Sequence, residues 1–595
     1  MDFKSLATLK KYLWALKRSL IIGAIAIVLN NVFMMAGPRI IGRGIDEIKR
    51  ASEGPADYRI VIWCVGLFLL ATLLQGIFSY VSRSRLISAS RVIEYELRND
   101  YFSHIQKMSF SYFDETRTGD LVSRATTDLN AVRSVVGPGI QNSLHTAMMM
   151  PAAAFFMFSM SSTLTLWLLA GMLPASALIY IFGKKMHYYS RRIMEQTGDI
   201  NAVVQENLTG MRVIKAYARE AHEIHNFKEI NRELVRRNIA MFKLSSFFRP
   251  LLMLYALLGV VFVLTAGGIF VIRGKMSVGD LTAFLMYANM LAWPTTVVGM
   301  LIGMLQRGSA AMKRINEVMD VEPAIVDDEH TVQQVNIKGE IEFRNLSFGY
   351  SSSNIPVLDG ITLSVRTGST VAVVGPTGCG KTTLAALIPR LYDPPADAVF
   401  VDGIDIRRIP VRALRGTVGC VPQDGFLFSD TILENIMFCS NEDRPKSERL
   451  KIPEKAIEAA RIAGFEEEIE SFPDGYFTRL GERGVNLSGG QKQRLGIARA
   501  IYVDPRILVL DDALSNVDTS TEEIILTNLK KFMKDRTCLL ISHRISTVQH
   551  ADHIVFLESG RIVEEGTHDE LLKLDRRYAQ MHRSQLLKRR IEDTE

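Results

Sequence analysis

Ile60–Ser82, IVIWCVGLFLLATLLQGIFSYVS, and Pro250–Ile272, PLLMLYALLGVVFVLTAGGIFVI, carry no charged residue. Each exceeds the ~20 apolar residues that a helix needs to cross a bilayer, where every backbone N–H and C=O must find its partner within the segment. The first half of the chain is therefore restricted to membrane-spanning helices. Further spans fit Leu20–Pro38, roughly Ile140–Met160, Leu164–Gly183 and Leu281–Gln306. A short polar SMSST turn separates Ile140–Met160 from Leu164–Gly183, and the expected total is six.

The first span lacks a small-residue cleavage site and runs directly into a long apolar helix, so it reads as an uncleaved span rather than a signal peptide. Arg83–Arg133, Lys184–Arg249 and the residues ahead of Leu20 are rich in Arg and Lys, while the intervening connections are poor in them or mixed. The excess of basic residues on cytoplasmic loops places both termini and the two long loops in the cytoplasm of a cell with this chain in its inner, or plasma, membrane. The net charge of +6 follows from that bias and is no footprint of nucleic acid.

At 595 residues the chain exceeds one ordinary core, and its composition changes near Glu322, where VEPAIVDDEHTVQQVNIKGE is polar and aperiodic. The expected division is a transmembrane domain over 1–320, a linker over 321–338, a nucleotide-binding domain over 339–580 and a tail over 581–595. After the linker, strands such as IEFRNLSFGY and STVAVVG alternate with helical stretches such as TTLAALIPRLY, the pattern of an α/β domain with a mainly parallel sheet. The fold class expected is thus an all-α six-helix membrane domain followed by a cytoplasmic α/β P-loop domain.

Gly375–Thr383 reads GPTGCGKTT, directly after the strand Val371–Val374 and directly before a helix. In that context the glycines Gly375, Gly378 and Gly380 let backbone N–H groups wrap phosphates, Lys381 reaches the β and γ groups, Thr382 holds Mg²⁺, and Thr383 is expected among the nucleotide-binding residues. The strand ILVLD ends in Asp511, a fitting second metal-side carboxylate. In LSGGQKQRLGIARA, Leu487–Ala500, Ser488, Gly489, Gly490 and Gln491 open an amphipathic helix and form a second anion-binding start. A second phosphate cradle requires a second nucleotide or a second subunit.

The set GPTGCGKTT, Gln423 in VPQDGFLF, LSGGQ, LVLDD, SNVD and His543 in ISHR resembles the nucleotide-binding domain of an ATP-binding cassette (ABC) transporter. With six preceding spans, the chain resembles a half-transporter of the bacterial multidrug and lipid exporter type over nearly its whole length. FDETRTGDLVSRATTDLNAV, Phe113–Val132, and ENLTGMRVIKAYARE, Glu206–Glu220, resemble the loops that carry coupling helices in these exporters. The resemblance implies ATP with Mg²⁺ as cofactors, Tyr350 stacked on adenine, and Gln423 sensing Mg²⁺ and the γ-phosphate. It also implies that Ser488, Gly489, Gly490 and Gln491 face an ATP held by a partner chain, that His543 contacts the γ-phosphate, and that Asp518 communicates across the dimer.

One position departs from the family pattern. Where most members have glutamate after the Walker B aspartate, this chain has Asp512. Aspartate is one methylene shorter, so its carboxylate falls short by ~1 Å, and a misplacement of that size can cost ~100-fold in rate. With LSGGQ intact, the combination resembles one half of a heterodimeric exporter in which this chain's Walker motifs build the slow site. A homodimer with two slow sites is the alternative.

The residues do not specify a cargo. Met148, Met149, Met150, Met253, Met286, Met290, Met300 and Met304 either line a path for amphipathic molecules or pack helices and face lipid. His145 is the ionisable side chain within its apolar stretch, a candidate for the pathway or for the interface. An exporter of drugs or lipids is the leading reading; a dedicated lipid or peptide flippase and an ATP-binding regulatory subunit are the others. The expected partners are a second half-transporter, the bilayer and a hydrophobic or amphipathic substrate.

Overall fold

The structure is a computed structural model describing residues 3–53, 58–350, 355–439, 451–481 and 484–592. Its internal contacts separate two compact units, Met1–Phe102 with Ser123–Met319, and Ser103–Val122 with Asp320–Glu595.

The first unit is helical: α1 (Lys17–Glu53), α2 (Tyr58–Ile105), α3 (Ile140–Met160), α4 (Ser162–Thr209), α5 (Glu220–Ile272), α6 (Val278–Met290) and α7 (Ala292–Met319). Among the described residues, four helical runs are long and apolar enough to cross a membrane: Lys17–Ala51, Tyr58–Ile105, Thr118–Met160 and Glu220–Ile272. The expected spans Leu164–Gly183 and Leu281–Gln306 fall on α4 and on α6 plus α7. The latter is not one helix. Leu291 shares its N–H between the carbonyls of Tyr287 and Ala288, and Pro294 has no N–H to return to Met290, so the ladder breaks between α6 and α7.

α2 holds 48 residues, roughly 70 Å at 1.5 Å per residue, more than twice the ~30 Å hydrocarbon core. Its polar half is tied down by charge. Glu94, 7% exposed, accepts from Arg98 at 2.7 Å and Arg91 at 3.1 Å, with Arg133 at 3.4 Å. Asp128 is held bidentately by Arg314 at 2.8 and 2.5 Å. Between α1, α3 and α6, Tyr287 donates to the Met35 carbonyl at 2.5 Å and stacks on Phe156 at 5.4 Å, within a cluster that includes Met149 and Met157.

The second unit contains strands β1 (Ile341–Phe348), β2 (Leu358–Val365), β3 (Thr370–Val374), β4 (Val399–Val401), β5 (Ile404–Asp405), β6 (Val418–Val421), β7 (Ile507–Asp511), β8 (Thr537–Ile541), β9 (His553–Glu558) and β10 (Arg561–Gly566). They form a four-stranded sheet, β2-β1-β4-β5, and a six-stranded sheet, β10-β9-β3-β8-β7-β6, in which β6 to β9 and β3 are parallel. Each central strand buries both faces. In β3, Ala372 and Val374 join one core with Leu508, Leu510 and Leu540, while Val371 and Val373 join the other with Ile507, Val509 and Ile541. Double-sided burial is why these strands read as unbroken apolar runs.

The relevant helices of this unit are α8 (Lys381–Leu387), α9 (Gly489–Tyr502), α10 (Thr519–Met533) and α11 (Arg577–Glu592). Residues 581–592, expected as a tail, continue α11, and 593–595 lie outside the described residues. α11 is anchored at its start, where Glu564 accepts from the N–H groups of Arg577 and Tyr578 at 2.7 and 3.1 Å.

Candidate functional site

The strand order β3-β8-β7-β6 brings four distant loops to one edge. Val373 and Asp511 both register with Ile541, and Val421 registers with Leu510, so the carboxyl ends of all four strands are level. Ligand sites of parallel sheets form outside such ends. The glycine loop follows β3, His543 follows β8, Asp511 ends β7, and Gln423 lies just beyond β6. The resulting cleft, about 270 Å³, is lined by Gly378, Gly380, Lys381, Thr382 and Thr383 on one side and by Gln423, Asp511, Asp512 and His543 on the other.

Lys381 is 6% exposed, and its ammonium donates to the carbonyls of Gly375 at 2.9 Å and Pro376 at 2.8 Å. This pins the lysine stem across the inside of the loop. Gly378 has φ +81°, and a Cβ there would meet no atom within 4 Å, so a side chain would project into open space at strained backbone. Such a loop is a concavity of N–H donors with a fixed positive charge beside it, suited to phosphate oxygens. Gly375 does not line the cleft; it contributes the carbonyl that holds Lys381.

Burial pushes the Asp511 carboxyl above its ordinary range, opposed by a hydrogen bond from Thr382 and reinforced by the adjacent charge of Asp512. Asp512 is buried, has φ +48°, and donates its N–H to the Ile541 carbonyl at 2.9 Å. Aspartate is among the few non-glycine residues that take this left-handed conformation readily. The turn brings Asp512 Oδ2 to 3.7 Å from His543 Nε2. Hydroxyl, amide and carboxylate oxygens from Thr382, Gln423 and Asp511 are the donor set of a hard cation such as Mg²⁺. Among the described residues no three His, Cys, Asp or Glu side chains form a metal cage.

Other expected residues lie elsewhere. Tyr350 is outside the cleft, its hydroxyl 2.8 Å from that of Thr383, and its ring meets Tyr392 edge-on at 5.1 Å. Tyr392 donates to Asp114 at 2.7 Å, linking the first loop to the foot of the glycine-loop helix within the second unit. None of Ser488, Gly489, Gly490 and Gln491 lines the cleft. Ser488 and Gln491 cap α9 reciprocally: Ser488 Oγ accepts from the Gln491 N–H at 3.3 Å and Gln491 Oε1 from the Ser488 N–H at 2.8 Å. Asp518 caps α10, accepting from Thr521 N–H at 3.0 Å.

Three contributors were not singled out by sequence. Gln493 in α9 donates to Ser515 Oγ at 2.8 Å and accepts from the Asn516 N–H at 2.9 Å. Arg544 donates to the Ser515 and Val517 carbonyls at 2.8 and 3.3 Å and pairs with Glu522. The loop after Asp512 is thus gripped from the α9 side and the His543 side. Gln585 in α11 binds the backbone around Arg544. The arginine beside His543 in ISHR was the available signal; Gln493 and Gln585 sit in ordinary helical sequence.

Membrane helices on one chain with a glycine-loop cleft at the ends of parallel strands define an ATP-hydrolysing cassette joined to a transmembrane bundle. Residues 20–295 match the ABC transporter transmembrane region and residues 358–515 the ABC transporter family. The chain is 35% identical to the probable multidrug resistance ABC transporter ATP-binding/permease protein YheI of Bacillus subtilis, covering 98% of each. It is 35% identical to the ATP-dependent lipid A-core flippase of Syntrophus aciditrophicus, over 88% of this chain and 85% of that one. Among solved structures, a bacterial Atm1-family ABC exporter with ATP bound superposes with a TM-score of 0.77 at 25% identity, covering 96% of this chain and 98% of that one. The chain belongs to the ABC transporter family. It is a membrane-embedded exporter half-transporter whose ATPase drives transport.

Proposed function

We propose that this chain is one half of a dimeric exporter that moves amphipathic small molecules, drugs or lipids, out of the cytoplasm by alternating access, and that its own cleft is the slow ATP site of a heterodimer. The names of its relatives, a probable multidrug resistance transporter and a lipid A-core flippase, support the cargo class. The single observation that carries the slow-site reading is Asp512 itself. It lies in the cleft beside His543, with a side chain one methylene shorter than glutamate.

In this reading Lys381 and the glycine-loop N–H groups bind the phosphates, and Thr382, Gln423 and Asp511 would hold Mg²⁺, which would supply positive charge against the phosphates. Asp512 and His543 stand where the attacking water and γ-phosphate would be, but the shorter carboxylate orients water less well. Ser488, Gly489, Gly490 and Gln491 serve an ATP on the partner chain, supported by their absence from this chain's own cleft. Tyr350 contributes at the adenine end, and Asp518 acts at the dimer interface through the loop that it closes. ATP drives the change of access only by binding the closed dimer more tightly than the open one. The spans lie in the inner membrane, and the cassette and both termini are cytoplasmic.

The test is purification of the assembled transporter with identification of its chains, followed by counting nucleotides occluded and hydrolysed per dimer. A non-identical partner with glutamate after its Walker B aspartate, and unequal turnover at the two sites, is the expected result. A homodimer hydrolysing equally at both sites overturns the slow-site reading.

A further inference from the structure

A cavity of about 350 Å³ lies among the membrane helices, between α1, α2, α3 and the end of α6. Its polar lining is Asn30 from α1, Gln75, Ser79 and Ser82 from α2, and Gln141 and His145 from α3. The spacing is helical: 75, 79 and 82 share one face of α2, and 141 and 145 share one face of α3. Gln75 and Ser79 sit inside the charge-free stretch Ile60–Ser82, and Asn30 lies inside the span Leu20–Pro38. Three helices thus turn carboxamides and hydroxyls toward one space.

Packing alone does not explain the cluster. Asn30 is 6% exposed, and its Oδ1 has no hydrogen-bond partner among the described residues. A buried acceptor left unmet is destabilising. Polar residues within spans are rare and mark substrate paths. The lining also lacks Asp, Glu, Lys and Arg, so it offers a ligand no fixed counter-charge. Met34, Met149 and Met290 supply a deformable apolar wall beside the polar groups.

We propose that this cavity is a subsite for the head group of the cargo, and that the head is uncharged and rich in hydrogen-bond donors, hydroxyls or amide N–H groups, with an apolar remainder against the methionines. The orphaned acceptor selects for a donor. The carboxamides of Gln75 and Gln141 can both give and accept, as the alternating edges of a polyol or amide require. An ionic head would find no Asp, Glu, Lys or Arg in the lining to neutralise it. This inference rests on the export reading for its meaning as a cargo site, but its test does not use transport.

The full chain, with any partner that co-purifies, is placed in phosphatidylcholine nanodiscs without nucleotide. Saturable binding is then measured for three probes of equal tail below their aggregation concentrations: dodecyl maltoside, dodecyl phosphate and dodecyltrimethylammonium. The maltoside is expected to bind at least tenfold more tightly than either ion. Asn30→Leu and, separately, Gln141→Leu are each expected to weaken maltoside binding about tenfold and leave the ionic probes unchanged. ATP binding by the cassette and the melting temperature report folding, and Gln75→Leu, at a half-buried position, provides a second variant if Asn30→Leu does not fold. Equal affinity for all three probes, no saturable binding, or wild-type maltoside affinity in the folded variants overturns the proposal. Maltoside binding as expected, with neither stimulation of ATPase nor transport of any amphipathic compound, would leave the site standing and remove the export reading.

Discussion

Gln585 holds the peptide backbone that carries His543. Its amide donates to the His543 carbonyl at 2.5 Å and accepts from the Ile545 N–H at 2.9 Å, so a side chain near the end of the protein pins both sides of Arg544. The histidine at the cleft edge is thereby fixed from α11, which is itself anchored through Glu564.

Gln585→Ala should free the Ile545 amide. Loss of one such bond, worth about 1 kcal/mol, corresponds to roughly fivefold faster amide exchange in the peptide spanning 543–548, with ATP affinity little changed. Gln585→Glu keeps the acceptor for Ile545 and loses the donor to His543, so exchange at Ile545 should stay near wild type while turnover falls. Unchanged exchange in the alanine variant would remove Gln585 from the positioning of His543.

Asp512→Glu tests the short carboxylate. It should raise ATP turnover by this chain's site, up to ~100-fold if reach alone limits it. Glutamate tolerates the +48° backbone less well than aspartate, so the variant should also lose about 1 kcal/mol of stability. Single-turnover hydrolysis and a thermal melt read the two effects separately. A rate no higher than wild type means that the partner's signature, or another group, limits the site.

Gly490→Ala should damage the assembly. A Cβ there would lie 2.8 Å from the Asn516 carbonyl oxygen, which is backbone in the loop after Asp512 and has little room to retreat. The ~1 kcal/mol that alanine adds to helix propensity is smaller than the 1–3 kcal/mol typical of such overpacking. A lower melting temperature and at least tenfold slower hydrolysis are expected. A variant as stable as wild type would show that α9 and the loop can separate freely.

Asp511→Asn should stabilise the nucleotide-free protein while ending Mg²⁺-dependent hydrolysis. Burial raises the Asp511 pKa above its unfolded value, so the native state binds that proton more tightly than the unfolded chain. Stability from this group is fully present below the unfolded pKa of about 4 and falls as pH rises through the folded one, leaving a cost at pH 7. The asparagine carries no such charge. Melting curves from about pH 4 to 7 should rise for the variant at the neutral end and flatten relative to wild type. A melting temperature below wild type at pH 7 would show that the Thr382 bond outweighs the burial.

Features confined to a short stretch of chain were legible in the sequence. The glycine loop needs only a strand, fixed glycine spacing and a following lysine, all contiguous in Gly375–Thr383. The spans Ile60–Ser82 and Pro250–Ile272 declare themselves by composition, because a bilayer tolerates little else. The expected last span, Leu281–Gln306, falls on two helices for a local reason: apolar composition continues across Leu291, and hydropathy does not register the missing N–H of Pro294. Ser488 and Gln491 were read as anion-binding groups, and their pairing as a capping box was written in the same S-x-x-Q spacing.

The sequence by itself determined the architecture and the candidate groups of the cleft, since bilayer solvation and phosphate recognition act through local composition and spacing. Tertiary structure decided which groups meet. Gln423, Asp511 and His543 share one cleft because β6, β7, β8 and β3 are neighbours in an order unlike their order along the chain. Gln585 reaches His543 across 42 residues, and Asn30 turns to a cavity shared with α2 and α3. Such meetings follow from close packing of whole elements, whose side-chain partners are set by strand order and helix rotation and by no signal within any single segment.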